Sequence, residues 1–355
     1  MLRDLPDPLR RILIVRLGAI GDVARVLPML HGLRERFPQA EVDWVVQAKA
    51  ADLLRDHPEI DQLWVVPFAR WREALTPAAW RLHRAMRARD YELVLDFQGM
   101  FKGAVWGLAA GGRAVRVGWA PGHAQNLAWL WYHGLRTPPA KRVNRHLRHR
   151  VLVDWLGVAD ALPRQLPQTP AVVEPVDRFA VELESRDVPR PWVFTWPGSS
   201  GRGSHRRWDP DHLRKALEEI HRRTGGTVIV GWGPAETEEA RALAQSLEGA
   251  VLAPPTTIRQ LVHLLSRCDL YVGIDSAPIH LAALVGTPVV GVYGRSDPVI
   301  HGPAPYLESR VVAGPEARDW KTRERQGLPP SPTPEPEAVV EAALELLERR
   351  ATPKR

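Results

Sequence analysis

A buried strand that runs directly into a polar loop, a helix and a second strand constrains the fold of this chain more than any other stretch. The apolar runs 270–274 and 288–292 predict the two strands, and residues 275–278 form the polar loop that opens the helix. In open α/β sheets, ligands bind at the carboxyl ends of strands, where a helix amino terminus offers unpaired N–H groups to a phosphate. The segment therefore predicts a phosphate-binding loop, with an ordinary capped turn as the alternative.

A second glycine-containing loop follows the first predicted strand, residues 11–17. Gly18 and Gly21 allow a sharp turn, and the spacing of apolar residues beyond them is helical. Asp22 is a candidate general base because its carboxylate follows a strand that ends at a ligand-binding edge. A helix N-cap is the other interpretation of this residue. The loop lacks both the G-x-G-x-x-G fingerprint of dinucleotide oxidoreductases and a P-loop lysine.

The composition restricts where the protein works and what it binds. The single cysteine, Cys268, excludes a disulfide framework and indicates a reducing compartment. The amino terminus lacks the apolar core of a signal peptide, and no apolar run approaches the roughly 20 residues that cross a bilayer, so we expect a cytoplasmic protein. The chain has 48 Lys+Arg and 41 Asp+Glu, a net charge of +7. This excess favours an anionic ligand or a membrane surface, but does not by itself indicate nucleic acid.

Arginines are concentrated in two places in the first half of the chain. One cluster, between residues 68 and 89, is interleaved with tryptophans, and the other closes the half. The members are Arg70, Arg72, Arg81, Arg84, Arg87 and Arg89, and then Lys141, Arg142, Arg145, Arg148 and Arg150. A solvated helix face explains many such runs. Two clusters with tryptophans between them favour a site for a large, anionic and partly apolar partner.

Proline-rich residues 162–175 divide the chain into two halves. Each half alternates strand-like and helical stretches, which predicts two doubly wound parallel sheets and an α/β fold. The predicted strands cover residues 11–17, 42–46, 63–66, 93–97, 192–196, 227–230, 250–252, 270–274 and 288–292. We predict an N-terminal domain at 1–165, a linker at 166–190, a C-terminal domain at 191–335, and a helix with a tail at 336–355.

Further polar loops follow predicted strands in both halves. Residues 96–102 leave a strand of the first half, and the hydroxyl-rich, basic residues 195–208 leave the first strand of the second half. In the latter loop, Arg206 and Arg207 are either solvated charges or contacts for a leaving diphosphate. Trp232, after the next strand, is placed to stack on a base. The scattered histidines have no metal-ligand spacing, and we expect no metal site.

Six short motifs occur in a fixed order along the chain. They are Gly21-Asp22, Asp96-Phe97-Gln98-Gly99-Met100-Phe101-Lys102, Arg206-Arg207-Trp208, Gly231-Trp232-Gly233-Pro234, Asp275-Ser276-Ala277-Pro278-Ile279-His280-Leu281-Ala282-Ala283 and Tyr293-Gly294-Arg295-Ser296-Asp297-Pro298. Together they resemble glycosyltransferase family 9, the lipopolysaccharide heptosyltransferases. The resemblance implies the GT-B fold, two facing Rossmann-like domains, and an inverting, metal-independent transfer. The second motif and Arg70-Trp71-Arg72 are most similar to the members that add the first heptose to Kdo.

The resemblance also implies roles for matching positions. Asp22 takes the role of catalytic base, and Arg206 that of a catalytic cation beside the nucleotide diphosphate. Contacts to the donor nucleotide fall on Ser199, Arg206, Trp232, Gly233, Asp275, Ser276, Ala277, Pro278 and His280. Contacts to the acceptor fall on Gly21, Arg70, Arg72, Gln98, Lys102 and Arg145. Four positions depart from the family pattern: Arg206 stands for a usual lysine, Asn144 or His146 for a usual histidine, Ala277 for a common glycine, and Arg295 for a common proline.

The implied reaction moves a heptose from ADP-heptose to the Kdo/lipid A inner core of lipopolysaccharide. It needs no cofactor beyond this nucleotide-sugar co-substrate and no nucleic acid, and it places the protein peripherally on the inner face of the cytoplasmic membrane. One alternative is a family 9 enzyme with another donor or acceptor. A nucleotide-sugar epimerase of the same fold would need acid/base carboxylates around the sugar. A non-catalytic binding module would leave Asp22 replaceable.

Overall fold

The computed structural model describes residues 5–6, 8–66, 76–138, 140–159, 166, 169–199, 205–305, 307–328 and 333–351. The chain forms two compact units, Met1–Pro167 and Gln168–Arg355. Helix Pro170–Ser185, within the segment predicted as a linker, belongs to the second unit. No helix in the described ranges is both long and apolar enough to cross a membrane.

The first unit is a parallel sheet with helices between its strands. Its elements are β1 Arg11–Val15, α1 Ile20–Ala24, α2 Leu27–Arg36, β2 Glu41–Gln47, α3 Ala48–Leu54, β3 Gln62–Val66, α4 Pro77–Arg87, β4 Leu93–Asp96, α5 Phe101–Leu108, β5 Val115–Trp119, β6 Gly134–Arg136 and α6 Arg145–Arg150. The strand order is β3-β2-β1-β4-β5-β6. The order reverses between β1 and β4, and the carboxyl end of such a switch point is where doubly wound sheets bind ligands.

The second unit repeats this plan. Its elements are α7 Pro170–Ser185, β7 Trp192–Trp196, α8 Pro210–Thr224, β8 Thr227–Val230, α9 Thr237–Ser246, β9 Ala250–Leu252, α10 Ile258–Arg267, β10 Leu270–Ile274, α11 Ala277–Leu284, β11 Val289–Tyr293, α12 Pro298–His301, β12 Ser309–Ala313, α13 Trp320–Arg325 and α14 Pro336–Ala351. The strand order is β12-β11-β10-β7-β8-β9, so the switch point lies between β7 and β10. Helix α14 is part of the second unit, because its apolar residues pack in one core with those of α8, β7, β8 and β10.

The prediction of two doubly wound parallel sheets is confirmed. The predicted strands are all present, with ends that shift by up to two residues, because continuous apolar runs suit strands covered on both faces. Strands β5, β6 and β12 were not predicted. Each contains an arginine, and β5 and β6 also contain a glycine, so none presents an uninterrupted apolar run.

Candidate active site

The loop after β1 places Asp22 at the switch point of the first unit. Asp22 lies in the first turn of α1, whose N-cap is Ala19, so the interpretation of Asp22 as a helix N-cap is wrong. Its carboxylate instead contacts guanidinium groups. Gly21 is buried in the same turn.

Three arginines converge on the Asp22 carboxylate. Its Oδ2 lies 2.6 Å from Arg16 Nη2, and its Oδ1 lies 2.9 Å from Arg25 Nη1 and 3.0 Å from Arg145 Nη1. Burial by itself would raise the pKa of Asp22, but these guanidiniums, Arg16 first, hold it well below the usual value. The side chains of Arg16 and Arg25 are 7% exposed, whereas that of Arg145 is 37% exposed. Arg145 is therefore the partner that a ligand can draw away most easily.

The loop after β4 supports this cluster from the neighbouring strand. Arg16 donates to the carbonyl of Phe97 at 2.6 Å. Gln98 was predicted to contact the acceptor. Its Oε1 accepts the N–H of Leu17 at 3.1 Å, and this hydrogen bond joins the loops after β1 and β4. Gly99 has a left-handed backbone, φ 63°, and a Cβ there would overlap the ring of Trp119.

Asp96 is a buried carboxyl that organises the same loop. Its Oδ1 accepts the N–H groups of Gln98 at 2.7 Å and Gly99 at 3.0 Å, and its Oδ2 accepts the hydroxyl of Tyr132 at 2.7 Å. Burial raises the pKa of Asp96 to about 6, although these hydrogen bonds and Arg16 oppose the shift. Asp96 therefore changes its charge close to neutral pH.

Sequence reasoning missed Arg16 and His149 at this site. Arg16 ends an apolar run, and a charge in that position was the available signal. His149 is buried beside Phe97 and Trp119, with ring centroids 5.7 Å and 6.4 Å away. Burial, followed by the charge of Arg16, lowers the pKa of His149 well below its usual value, so the ring is neutral at pH 7.

The members of the two arginine clusters have different surroundings. Arg81, Arg84 and Arg87 are exposed on α4, whereas Arg89 pairs with the buried Asp43. In the second cluster, Arg145 contacts Asp22, Arg148 lies over the ring of Trp119, and Arg150 pairs with Asp154.

The remaining predicted acceptor contacts of the first unit fall in different places. Lys102 is partly exposed in the first turn of α5. Asn144 is the N-cap of α6 and accepts the N–H of His146 at 2.9 Å. Arg70 and Arg72 lie outside the described residues.

The second unit holds the predicted phosphate loop at the carboxyl end of β10. Helix α11 begins at Ala277, with Ser276 as N-cap and Pro278 in the first turn, so the predicted helix start is confirmed. The hydroxyl of Ser276 makes no capping hydrogen bond to the helix. This side chain therefore does not occupy the N–H groups of the first turn. A phosphate site needs these groups as hydrogen-bond donors.

A buried carboxylate with cationic and imidazole neighbours precedes this helix. Asp275 Oδ2 lies 3.2 Å from Arg206 Nη1, which also donates to the Asp275 carbonyl at 3.1 Å. His280 Nε2 lies 3.8 Å from Oδ1, and His301 Nδ1 lies 3.7 Å from Oδ2. Burial would raise the pKa of Asp275, but His280, His301 and Arg206 lower it well below the usual value. The sequence did not point to His301.

Buried hydroxyls lie after the two strands that flank β10. Ser199 follows β7 and Ser296 follows β11, and both side chains are buried. Neither hydroxyl has a hydrogen-bond partner within the described ranges. Buried polar groups are nearly always satisfied, so such hydroxyls indicate a ligand with acceptor oxygens.

Glu236 is the last residue of the loop after β8, and its side chain lies against the loop after β7. A Cβ added at Gly198 would overlap the Glu236 side chain, and one at Gly233 would lie 2.6 Å from Glu236 Oε2. An acidic residue at the end of the second strand of a Rossmann-like unit is where a ribose hydroxyl is held. Trp232 donates its N–H to the carbonyl of Ala253 at 2.8 Å and packs against the core, so only its ring is available to a base.

No group of three or more His, Cys, Asp or Glu side chains is arranged to hold a metal ion in the described part of the chain. The cationic groups at the two candidate sites are arginine and histidine side chains.

Known structures share this architecture. The crystal structure of the glycosyl transferase family 9 from Veillonella parvula matches with a TM-score of 0.80 and 20% identity, over 96% of this chain and 98% of that one. E. coli heptosyltransferase WaaC with ADP matches with a TM-score of 0.68 and 25% identity, over 87% and 94% of the two chains. The same enzyme has also been solved with ADP-2-deoxy-2-fluoro heptose. The fold is thus that of the GT-B glycosyltransferases.

The sequence comparisons identify the family. Residues 79–328 match glycosyltransferase family 9 (heptosyltransferase), which is more than half of the chain. Lipopolysaccharide heptosyltransferase 1 of Pseudomonas aeruginosa is 28% identical over 316 residues, covering 86% of this chain and 83% of the relative. The chain belongs to glycosyltransferase family 9 and is a glycosyltransferase.

Proposed function

We propose that this enzyme transfers a heptose from ADP-heptose to the Kdo/lipid A inner core of lipopolysaccharide, with inversion at the anomeric carbon. The observation that carries the proposal is the donor-side arrangement of the second unit. Arg206, from the loop after β7, contacts Asp275 just before α11, whose first turn follows β10 and has no side-chain cap. The heptosyltransferase relative that has been solved with ADP and an ADP-heptose analogue supports this choice of donor.

On the donor side, the bond between the anomeric carbon and the β-phosphate oxygen breaks, and its electron pair stays on that oxygen. Arg206 and the N–H groups at the start of α11 stabilise the developing negative charge. The hydroxyls of Ser199 and Ser296 are available to donate to diphosphate or sugar oxygens. Glu236 accepts hydrogen bonds from the ribose hydroxyls.

On the acceptor side, a hydroxyl of the acceptor attacks the anomeric carbon and loses its proton to Asp22. The low pKa of Asp22 keeps the carboxylate ionised, and it takes the proton only as the new C–O bond makes the hydroxyl acidic. An anionic acceptor that attracts Arg145 removes one cation from Asp22 and makes this carboxylate more basic. Kdo carries a carboxylate of the kind that an arginine binds.

The remaining parts of the proposal concern partners and location. We assign the acceptor to a lipid-linked anionic saccharide at the inner face of the cytoplasmic membrane, with which the basic first unit associates peripherally. The transfer uses no metal ion. Exposed Arg81 and Arg84 on α4 support the attraction to anionic lipid.

The test is a reaction of purified enzyme with ADP-heptose and Kdo-lipid A, followed by ADP release and by mass spectrometry of the product. We expect one added heptose, no product with UDP- or GDP-sugars, and unchanged turnover in EDTA. Equal turnover with another nucleotide sugar would show that the donor is different. ADP release without added heptose on Kdo-lipid A would show that the acceptor is different.

A further inference from the structure

We propose that the loop between β5 and β6 inserts its apolar side chains into an anionic lipid bilayer. The docking surface consists of Phe101, Leu127, Leu130 and Trp131, and is named here the apolar wedge. These side chains are exposed by 41%, 62%, 57% and 38% respectively. Large apolar residues grouped in this way on a surface mark a site for a partner or a membrane.

The wedge is held in place by the sheet edge beneath it. Leu130 and Trp131 belong to a short 3₁₀ turn, Ala128–Trp131, and the ring of Trp131 lies 6.5 Å from that of Phe101. Arg116 donates to the carbonyl of Trp131 at 3.0 Å, and the N–H of Gln125 donates to the carbonyl of Gly99 at 2.8 Å. The loop that carries the wedge is therefore hydrogen-bonded to the loop after β4, which begins at Asp96.

The backbone of the loop favours exposure of these residues. Asn126 and Leu127 both have left-handed conformations, with φ of 52° and 56°. Leucine seldom adopts this conformation. The small Ala128 turns inward to pack with Ala104 and Tyr132, so the adjacent Leu127 remains in solvent. A sequence selected only for folding would place a polar or glycine residue at position 127.

The charge of the surrounding residues indicates which partner the apolar wedge binds. Residues 97–153 contain nine Lys or Arg and no Asp or Glu. Lys102 follows Phe101 directly, and Arg113 is exposed. Tryptophan and leucine flanked by cations match the headgroup region of an anionic membrane, where basic side chains meet phosphates and apolar ones reach the acyl chains. The choice of a membrane rests on the proposed lipid-linked acceptor.

The single cysteine of the chain permits a direct test. Cys268 is buried, so a cysteine introduced by Leu130→Cys can be labelled selectively with a polarity-sensitive fluorophore. The matched control is Val181→Cys, on α7 of the second unit, where the native side chain is 59% exposed. With phosphatidylglycerol/phosphatidylethanolamine vesicles, we expect a blue shift and quenching by doxyl-lipids for the label at position 130 and neither for the label at 181.

A second pair of variants measures the contribution of the wedge to binding. Leu130→Glu should weaken co-sedimentation with these vesicles about tenfold, since one leucine leaves the lipid, whereas Val181→Glu should leave it unchanged. ADP affinity measured by calorimetry should be the same for both variants. Binding should weaken with added salt and on phosphatidylcholine vesicles.

Several results would overturn the proposal. A label at position 130 that stays in water while the protein binds vesicles would place the docking surface elsewhere. Absence of vesicle binding would refute it, as would a blue shift without vesicles that accompanies dimer formation in light scattering. The vesicles contain no acceptor and the test needs no donor, so failure here and failure of the proposed transfer are separate results.

Discussion

Asp22 has two physical roles that its neighbours make inseparable. Its carboxylate is the counter-charge for Arg16 and Arg25, both nearly buried, and it is also the proposed base. A carboxylate this well paired is a weak base, so its reactivity depends on which guanidinium remains in contact during the reaction. Only Arg145 has the exposure to exchange Asp22 for an acceptor anion.

Asp22→Asn tests both roles. We expect turnover to fall by about 10²–10⁴-fold, as for loss of a general base, and ADP affinity to be unchanged. The free energy of unfolding should also fall by about 3 kcal/mol, because two buried guanidiniums lose their counter-charge. Arg145→Gln, which removes the exposed partner, should change stability little in the same denaturation experiment. A variant with near-normal turnover would show that Asp22 only holds the arginines.

Asp96 predicts a dependence of stability on pH. Its pKa in the folded state is about 6, above the usual 3.8, so the folded protein binds this proton more tightly than the unfolded chain. The resulting stabilisation is fully present below about pH 4 and is lost as the pH rises through 6, a total of about 3 kcal/mol.

Asp96→Asn removes this titration while keeping an oxygen for the N–H groups of Gln98 and Gly99. Relative to the native enzyme, the variant should gain stability between pH 4 and pH 7 in urea denaturation. Parallel pH profiles of the two proteins would contradict the assignment of the shift to Asp96.

At the scale of elements, we expect nucleotide binding to depend on loops that follow neighbouring strands. The helix start of α11 follows β10, the loop with Arg206 follows β7, and the loop with Glu236 follows β8. Parallel strands in the order β10-β7-β8 bring these ends to one edge of the sheet. Each loop supplies a different chemical group, and single substitutions can therefore separate their contributions.

Arg206→Ala should weaken ADP binding about tenfold, because it removes a charge-assisted hydrogen bond to the diphosphate. Arg207→Ala is the control from the same loop, since Arg207 pairs with Glu239 at 2.8 Å. Calorimetry with ADP and AMP measures the effect, which should be larger for ADP. Equal affinities in the native enzyme and both variants would place the nucleotide elsewhere.

Glu236→Gln tests the ribose contact. The native enzyme should prefer ADP to 2′-deoxy-ADP, because the carboxylate accepts a hydrogen bond from a ribose hydroxyl. The variant should lose most of this preference while binding 2′-deoxy-ADP as the native enzyme does. A preference of the same size in both proteins would exclude Glu236 from the ribose site.

At the scale of the whole molecule, we expect the two arginine clusters to have different functions. Arg81→Glu combined with Arg84→Glu should weaken binding to anionic vesicles at low salt, because both side chains are exposed on α4. The same variant should retain kcat/KM for a water-soluble Kdo acceptor. Arg145→Glu should lower kcat/KM for that acceptor and leave vesicle binding unchanged. If the two variants behave alike, the clusters act as one surface.

The sequence by itself determined the two doubly wound sheets, the helix start at Ser276, and the loops that carry Asp22, Arg206 and Asp275. These features depend on local patterns, because apolar runs, glycine turns and helix-start residues act within a few positions of the chain. The tertiary structure decided which distant residues meet. The strand order of the first unit brings Asp96 beside Arg16, and the helix that follows its last strand brings Arg145 to Asp22. No local pattern contains these contacts, since their partners are 80 and 123 positions apart and the charges act through space.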